Sequence, residues 1–112
     1  MQHKVAKYLH DIWESINSIE EFLKDNRDFS HYQQNKLLRR GVERELEIIG
    51  EATNRVLKYN PEIEISQARR IVDLRNWIIH GYDSVDNVII WGILSRDVPE
   101  LKKQIEVLLN DY

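Results

Sequence analysis

A chain of 112 residues is one domain in size, spanning residues 1–112, and can bury roughly two-thirds of its unfolded surface without covalent staples. It has no cysteine, which excludes disulfides, thiolate metal sites and cysteine nucleophiles, and suits a reducing compartment. The formal charge of -3, from 16 basic and 19 acidic residues, excludes a surface that is basic throughout, so any contact with a polyanion must use a local patch.

Two stretches offer such a patch: LLRRGVER, with Arg39, Arg40 and Arg44, and ARRIVDLR, with Arg69, Arg70 and Arg75. Charge counting alone reads both as solvated helix faces. No apolar run approaches the roughly 20 residues that span a bilayer. The N-terminal MQHKVAKYLHDIWES is amphipathic and has no signal-peptide core. A soluble, cytoplasmic protein without membrane association is expected.

Along the chain, Val5, Tyr8, Leu9, Ile12, Ile16, Ile19 and Leu23 recur at steps of three and four, which predicts a first helix over most of residues 2–24. The polar DNRDFS interrupts it, and Ser30 with Gln33 three residues later forms a capping-box pattern. A second helix is predicted from about Ser30 to Tyr59, ending before Asn60-Pro61, with Leu38, Val42, Leu46, Ile49, Thr53 and Val56 as its apolar stripe. At about 42 Å it is long for so small a domain, so its ends should project or meet a second copy. Gly50 inside it costs about 1 kcal/mol relative to alanine, which implies close approach of another helix, taken here as that of a dimer mate. Glu43, Glu47, Glu51 and Asn54 line the polar side of this helix.

PEIEIS alternates like a strand but has no partner strand in the chain, so it is read as a loop or helical turn. A third helix should begin near Ser66 and turn Ile71, Leu74 and Ile78 inward, with Gly81 placed for a left-handed stop. A fourth is predicted from Val85 to Ser95. A fifth runs to Leu109, capped by Asp97 with Glu100 three residues on and Pro99 in its first turn. The expected fold class is all-α, an up-and-down bundle of four to five helices.

The chemistry concentrates in RNWIIHGYD, Arg75 to Asp83. Asn76 and His80 share a helix face, whereas Arg75 and His80 lie about 140° apart on a continuous helix. They meet one substrate only if the helix ends near His80 or if a twofold pairing brings in a second copy. Should they converge, the pair suits a phosphodiester: histidine moves a proton near neutral pH, and arginine's planar fork binds phosphate and stabilises charge built during reaction. An RNA 2′-hydroxyl can supply the nucleophile, and the chain has no HExxH, cysteine–histidine cluster or phosphate loop, so no metal or cofactor is expected. His3, His10 and His31 have no ligand spacing. Trp13, Trp77 and Trp91 read as core or interface residues, with Trp77 also beside any bound nucleotide. The bland alternative stands beside this one. His80 would cap open carbonyls at a helix end, Arg75 would pair with Glu47 or Glu51, and Tyr82 would be a half-buried anchor.

RNWIIH fits the Arg-x4-His pattern of HEPN domains, and RNWIIHGY fits the longer Arg-x4-His-x-Tyr form of HepT-type toxins. The resemblance covers nearly the whole chain: ELEIIGEATNRV resembles the family's helix-two segment and DNVIIWGILSRDVPELKKQI its C-terminal helices. It implies a HEPN-like bundle and a metal-independent endoribonuclease toxin working at a homodimer cleft on an RNA substrate. Arg75 and His80 would be the catalytic pair, leaving a 2′,3′-cyclic phosphate, and Asn76 would position the phosphate or the histidine. Tyr82 matches the tyrosine that an MNT-type nucleotidyltransferase antitoxin modifies with AMP, making the silenced toxin a phosphoprotein. Added negative charge beside the site would repel RNA. The rival readings are a non-catalytic nucleotide-binding or docking subunit of a nucleotidyltransferase, and a purely structural dimer.

Overall fold

An apolar residue every three or four positions makes α1 (Gln2–Leu23) amphipathic. In a computed structural model, which describes residues 2–25, 27–66, 68–79 and 86–111, that stripe is the floor of the core. Val5, Leu9, Ile12, Ile16, Ile19 and Leu23 are each at most 4% exposed. Against it lies α3 (Lys36–Tyr59), whose Val42, Leu46, Ile49, Thr53 and Val56 are buried. The two run antiparallel: Tyr8 stacks on Tyr59 with ring centroids 6.4 Å apart, while Phe22 packs beside Gly41 at the other end.

The expected single second helix is broken. Asn35 adopts extended backbone and its Oδ1 accepts from the Leu38 N–H at 3.0 Å, so it caps α3 and separates it from a short α2 (Phe29–Gln34). Asp28, not Ser30, caps α2 by accepting from the His31 N–H. The capping-box reading of Ser30 and Gln33 is therefore replaced by two successive Asx caps. The break leaves α3 with 24 residues, about 36 Å, which fits the 42 × 29 × 19 Å extents of the molecule without a projecting end.

After the 60–67 connection, α4 (Ala68–Ile79) packs on α3 with Val72 and Leu74 buried and Ile71 and Ile78 partly buried. Ile65 anchors the connection in the core, and its neighbour Ser66 exchanges two hydrogen bonds with Gln104, at 3.0 and 2.7 Å. PEIEIS forms no strand, as expected, and no strand occurs among the described residues.

The last two expected helices are one continuous helical run. Asp86 caps α5 (Asn87–Gly92) through the Val88 N–H at 2.8 Å; Val85 lies outside the described residues. A π-helical stretch (Ile93–Asp97) then joins α5 directly to α6 (Val98–Leu109). Asp97 has helical backbone and makes no capping bond, so it does not start a helix. Proline explains the wide turn. Pro99 has no N–H and its ring crowds the carbonyl four residues back, while the Val98 N–H reaches five back to Ile93. α6 runs antiparallel to α1, joined by Lys102–Glu20 at 2.8 Å and Trp13–Glu106 at 3.3 Å. No described helix is long and apolar enough to cross a membrane.

Tyr32 of α2 is fully buried beside Trp91, 5.3 Å between centroids, and its hydroxyl has no hydrogen-bond partner among the described residues. Burial, aided by the charge of Glu43, raises its pKa well above the ordinary phenol value. The unfolded chain therefore loses this proton first, so Tyr32's contribution holds below pH about 10 and is lost as pH rises further. Melting temperature measured from pH 7 to 11 should fall less steeply above pH 10 in Tyr32→Phe than in the wild type, with little difference at pH 7.

Candidate active site around Arg75

Gly50 faces α4 so closely that a Cβ built on it would lie 2.1 Å from the Arg75 Cβ and 2.8 Å from its Cγ. The absent side chain is what admits the arginine stem between the helices. The close approach expected of Gly50 is thus made by α4 of the same chain, not by a dimer mate. Beyond the stem, the Arg75 guanidinium turns toward the polar side of α3. Its Nη2 lies 2.6 Å from Glu51 Oε2, an ion pair between side chains 27% and 36% exposed. Its Nη1 donates to Asn76 Oδ1 at 2.7 Å. Nε is buried with no hydrogen-bond partner among the described residues.

Of the two carboxylates weighed as partners, Glu51 takes Arg75, while Glu47 lies 3.9 Å from Arg44. Glu51 also reaches along its own helix, Oε1 accepting from Arg55 Nε at 3.0 Å. That bond is the first cause raising the Arg55 pKa above its ordinary value. No motif marks Arg55, and the signal in the sequence that could find it is its helical i, i+4 spacing from Glu51.

These side chains line a groove of about 410 Å³ formed by α1, α3 and α4, with Tyr8, Asp11, Arg44, Glu47, Arg55 and Arg75 on its walls. The basic patches are mostly paired. Arg40 bonds Glu43 at 3.1 Å, Arg70 lies 3.9 Å from Asp97, and Arg39 donates to the Gln33 carbonyl. Trp77 is 42% exposed and borders a separate apolar groove with Leu74, Ile89 and Ile93, whereas Trp91 packs on Phe29 and Tyr32. Among the described residues, no three His, Cys, Asp or Glu side chains gather around one point. His80, Gly81 and Tyr82, the other half of the motif, lie outside the described residues.

The family model for Ribonuclease HepT-like proteins matches residues 12–108. The chain belongs to this family. A Methanocaldococcus jannaschii protein named "Putative RNase MJ1380" is 38% identical to it over 105 residues, covering 93% of this chain and 95% of that one. "Probable ribonuclease HepT" of Thermococcus cleftensis is 35% identical over 112 residues, with 96% and 98% covered. "Putative RNase TTE0752" of Caldanaerobacter subterraneus is 31% identical over 104 residues, 92% of each chain. No solved structure matches significantly. Ribonuclease activity is the HepT-like family's property, and an all-α bundle of the HEPN kind is the fold observed.

Filling the glycine socket should move the arginine. Gly50→Ala places a methyl group against the Arg75 stem and the Ile71 carbonyl, neither of which can rotate away. Such overpacking costs about 1–3 kcal/mol. Denaturant unfolding of Gly50→Ala is expected to show that loss, whereas Gly41→Ala, which meets only the Phe22 ring at 3.3 Å, should lose less.

Proposed function

We propose that this HepT-like protein is a metal-independent endoribonuclease, the toxin of a toxin–antitoxin pair, cutting RNA with Arg75 and His80 in the cleft of a homodimer. One observation carries the reading: the arginine of the Arg-x4-His motif is held half-buried at a groove, ion-paired with Glu51 through Nη2 and donating from Nη1 to Asn76. Each terminal nitrogen carries a second N–H that could meet a phosphate oxygen, while the Nε–H is buried.

In the reaction, the 2′-oxygen attacks the adjacent phosphorus and the bond from phosphorus to the 5′-oxygen breaks. The 2′-hydroxyl gives up its proton and the departing 5′-oxygen gains one, so a 2′,3′-cyclic phosphate and a free 5′-hydroxyl result and no water is consumed. His80 moves the proton at one of these oxygens, while Arg75 stabilises the charge on the non-bridging oxygens. Asn76 serves this scheme by holding Arg75 through Oδ1. Tyr82 is the acceptor of AMP from an MNT-type nucleotidyltransferase antitoxin, and the added charge and bulk beside the motif exclude RNA.

The test is cleavage of tRNA and mRNA by purified protein in EDTA, beside Arg75→Ala and His80→Ala. Wild type alone should cut, leaving cyclic-phosphate ends, with each variant slowed at least about 100-fold. Equal cutting by all three would mean a contaminating nuclease. No cutting by protein whose Tyr82 is free of AMP would favour the non-catalytic docking subunit. An ATP-dependent mass gain with the nucleotidyltransferase, lost in Tyr82→Phe, tests the antitoxin pairing separately.

A further inference from the structure

Glu51 follows directly on the glycine that admits Arg75, and its single carboxylate serves two guanidiniums. Oε1 accepts from Arg55, and Oε2 faces Arg75. With Asn76 on the other flank, the Arg75 guanidinium meets a hydrogen bond at Nη1 and a carboxylate charge at Nη2, from two different helices. Its position is therefore restrained before any substrate arrives. The price is charge: Arg55, Glu51 and Arg75 sum to +1 where the two arginines alone would present +2 to a phosphate.

We infer that Glu51 is a positioning residue for Arg75, fixing the guanidinium for the transition state while weakening the groove's hold on RNA in the ground state. The inference rests on the ribonuclease reading above. A guanidinium already oriented stabilises developing charge without reorganising during the reaction. The same carboxylate opposes an approaching phosphate across a few ångströms of partly solvated space. These two effects act with opposite sign on turnover and on binding. A merely structural residue would weaken both, and a simple charge screen would leave turnover alone.

The experiment compares wild type, Glu51→Gln, Glu51→Asp and Arg75→Ala by two readouts. One is the cleavage rate at saturating protein; the other is the dissociation constant for an oligonucleotide whose reacting 2′-hydroxyl is methylated. Glu51→Gln should cut on the order of tenfold more slowly. It should also bind the methylated oligonucleotide several-fold more tightly in low salt, an advantage that fades as salt screens the groove. Glu51→Asp keeps the charge but loses the reach, so it should slow cleavage with no gain in affinity. Circular dichroism melting shows which variants keep the fold, and Glu51→Asp decides the matter if Glu51→Gln does not fold. A Glu51→Gln rate within twofold of wild type, while Arg75→Ala is dead, overturns the positioning role and leaves the nuclease reading intact. A faster Glu51→Gln would show the carboxylate competing with phosphate for Arg75 and would overturn it too. Slower cleavage with weaker binding overturns it in favour of a structural role. Absence of cleavage by the wild type overturns the nuclease reading and this inference together.

Discussion

The contact between the Gly50 backbone and the Arg75 stem is the constraint from which the rest of the site follows. Two helices that meet at a glycine come closer than side chains elsewhere permit, and here the space is filled by the first carbons of an arginine. That fixes the rotation of α4 about its axis. Val72 and Leu74 are directed to the core, Trp77 is left on the outer side, and the charged end of Arg75 emerges at the groove beside Glu51. A substitution at position 50 would disturb all of these together, because they share one helix and one contact.

The ion pair itself contributes little to holding the bundle together. Its partners are about a third exposed, and pairs of that kind are worth at most about 1 kcal/mol after screening and side-chain entropy. Stability comes from the apolar layer around it: Leu46 and Ile49 of α3, Leu74 of α4, Ile93 and Leu94 of the π stretch, and Leu101 of α6. The arginine adds a cost, since its Nε–H is buried without a partner among the described residues. A leucine at position 75 would satisfy the packing without that cost. An arginine kept in such a place, with a carboxylate and an amide holding its two ends, is arranged for chemistry more than for folding.

How much of this was legible in the sequence depends on the range of the interaction involved. The α1 stripe and most of the α3 stripe follow from periodicity alone, because one buried face per helix is a local signal. The break at Asn35 is not visible in the apolar periodicity, which runs on through it; one bond from the Leu38 N–H to Asn35 Oδ1 caps the new helix there. The π stretch was missed for a related reason. Asp97-Val98-Pro99-Glu100 has the residue types of a helix start, but the chain already arrives there as a helix, and proline widens the turn instead of beginning one. Gly50 signalled a close helix and not which one, since nothing local distinguishes a neighbour in the same chain from one in a second copy. The choice of Glu51 over Glu47 for Arg75 depends on where α4 crosses α3, a long-range fact. RNWIIH pointed to Arg75 through its pattern, and the groove that gives the arginine an opening comes from three helices far apart in sequence.

The pairing of the arginines also reconciles an acidic chain with a polyanionic substrate. Of the two basic stretches, Arg40, Arg44, Arg70 and Arg75 each face a carboxylate, so neither presents an uncompensated row of charge. A surface of this kind attracts RNA less than a basic stripe would, and for a binding module that would be a defect. For the proposed reaction it is an advantage. Affinity shared equally by substrate and transition state does not speed the chemical step, whereas a pre-oriented guanidinium acts mainly where charge develops. Weak ground-state attraction also lets cut ends leave. The carboxylates that lower the net charge of the groove are thus compatible with turnover, and the one that touches Arg75 adds order at the point where charge develops.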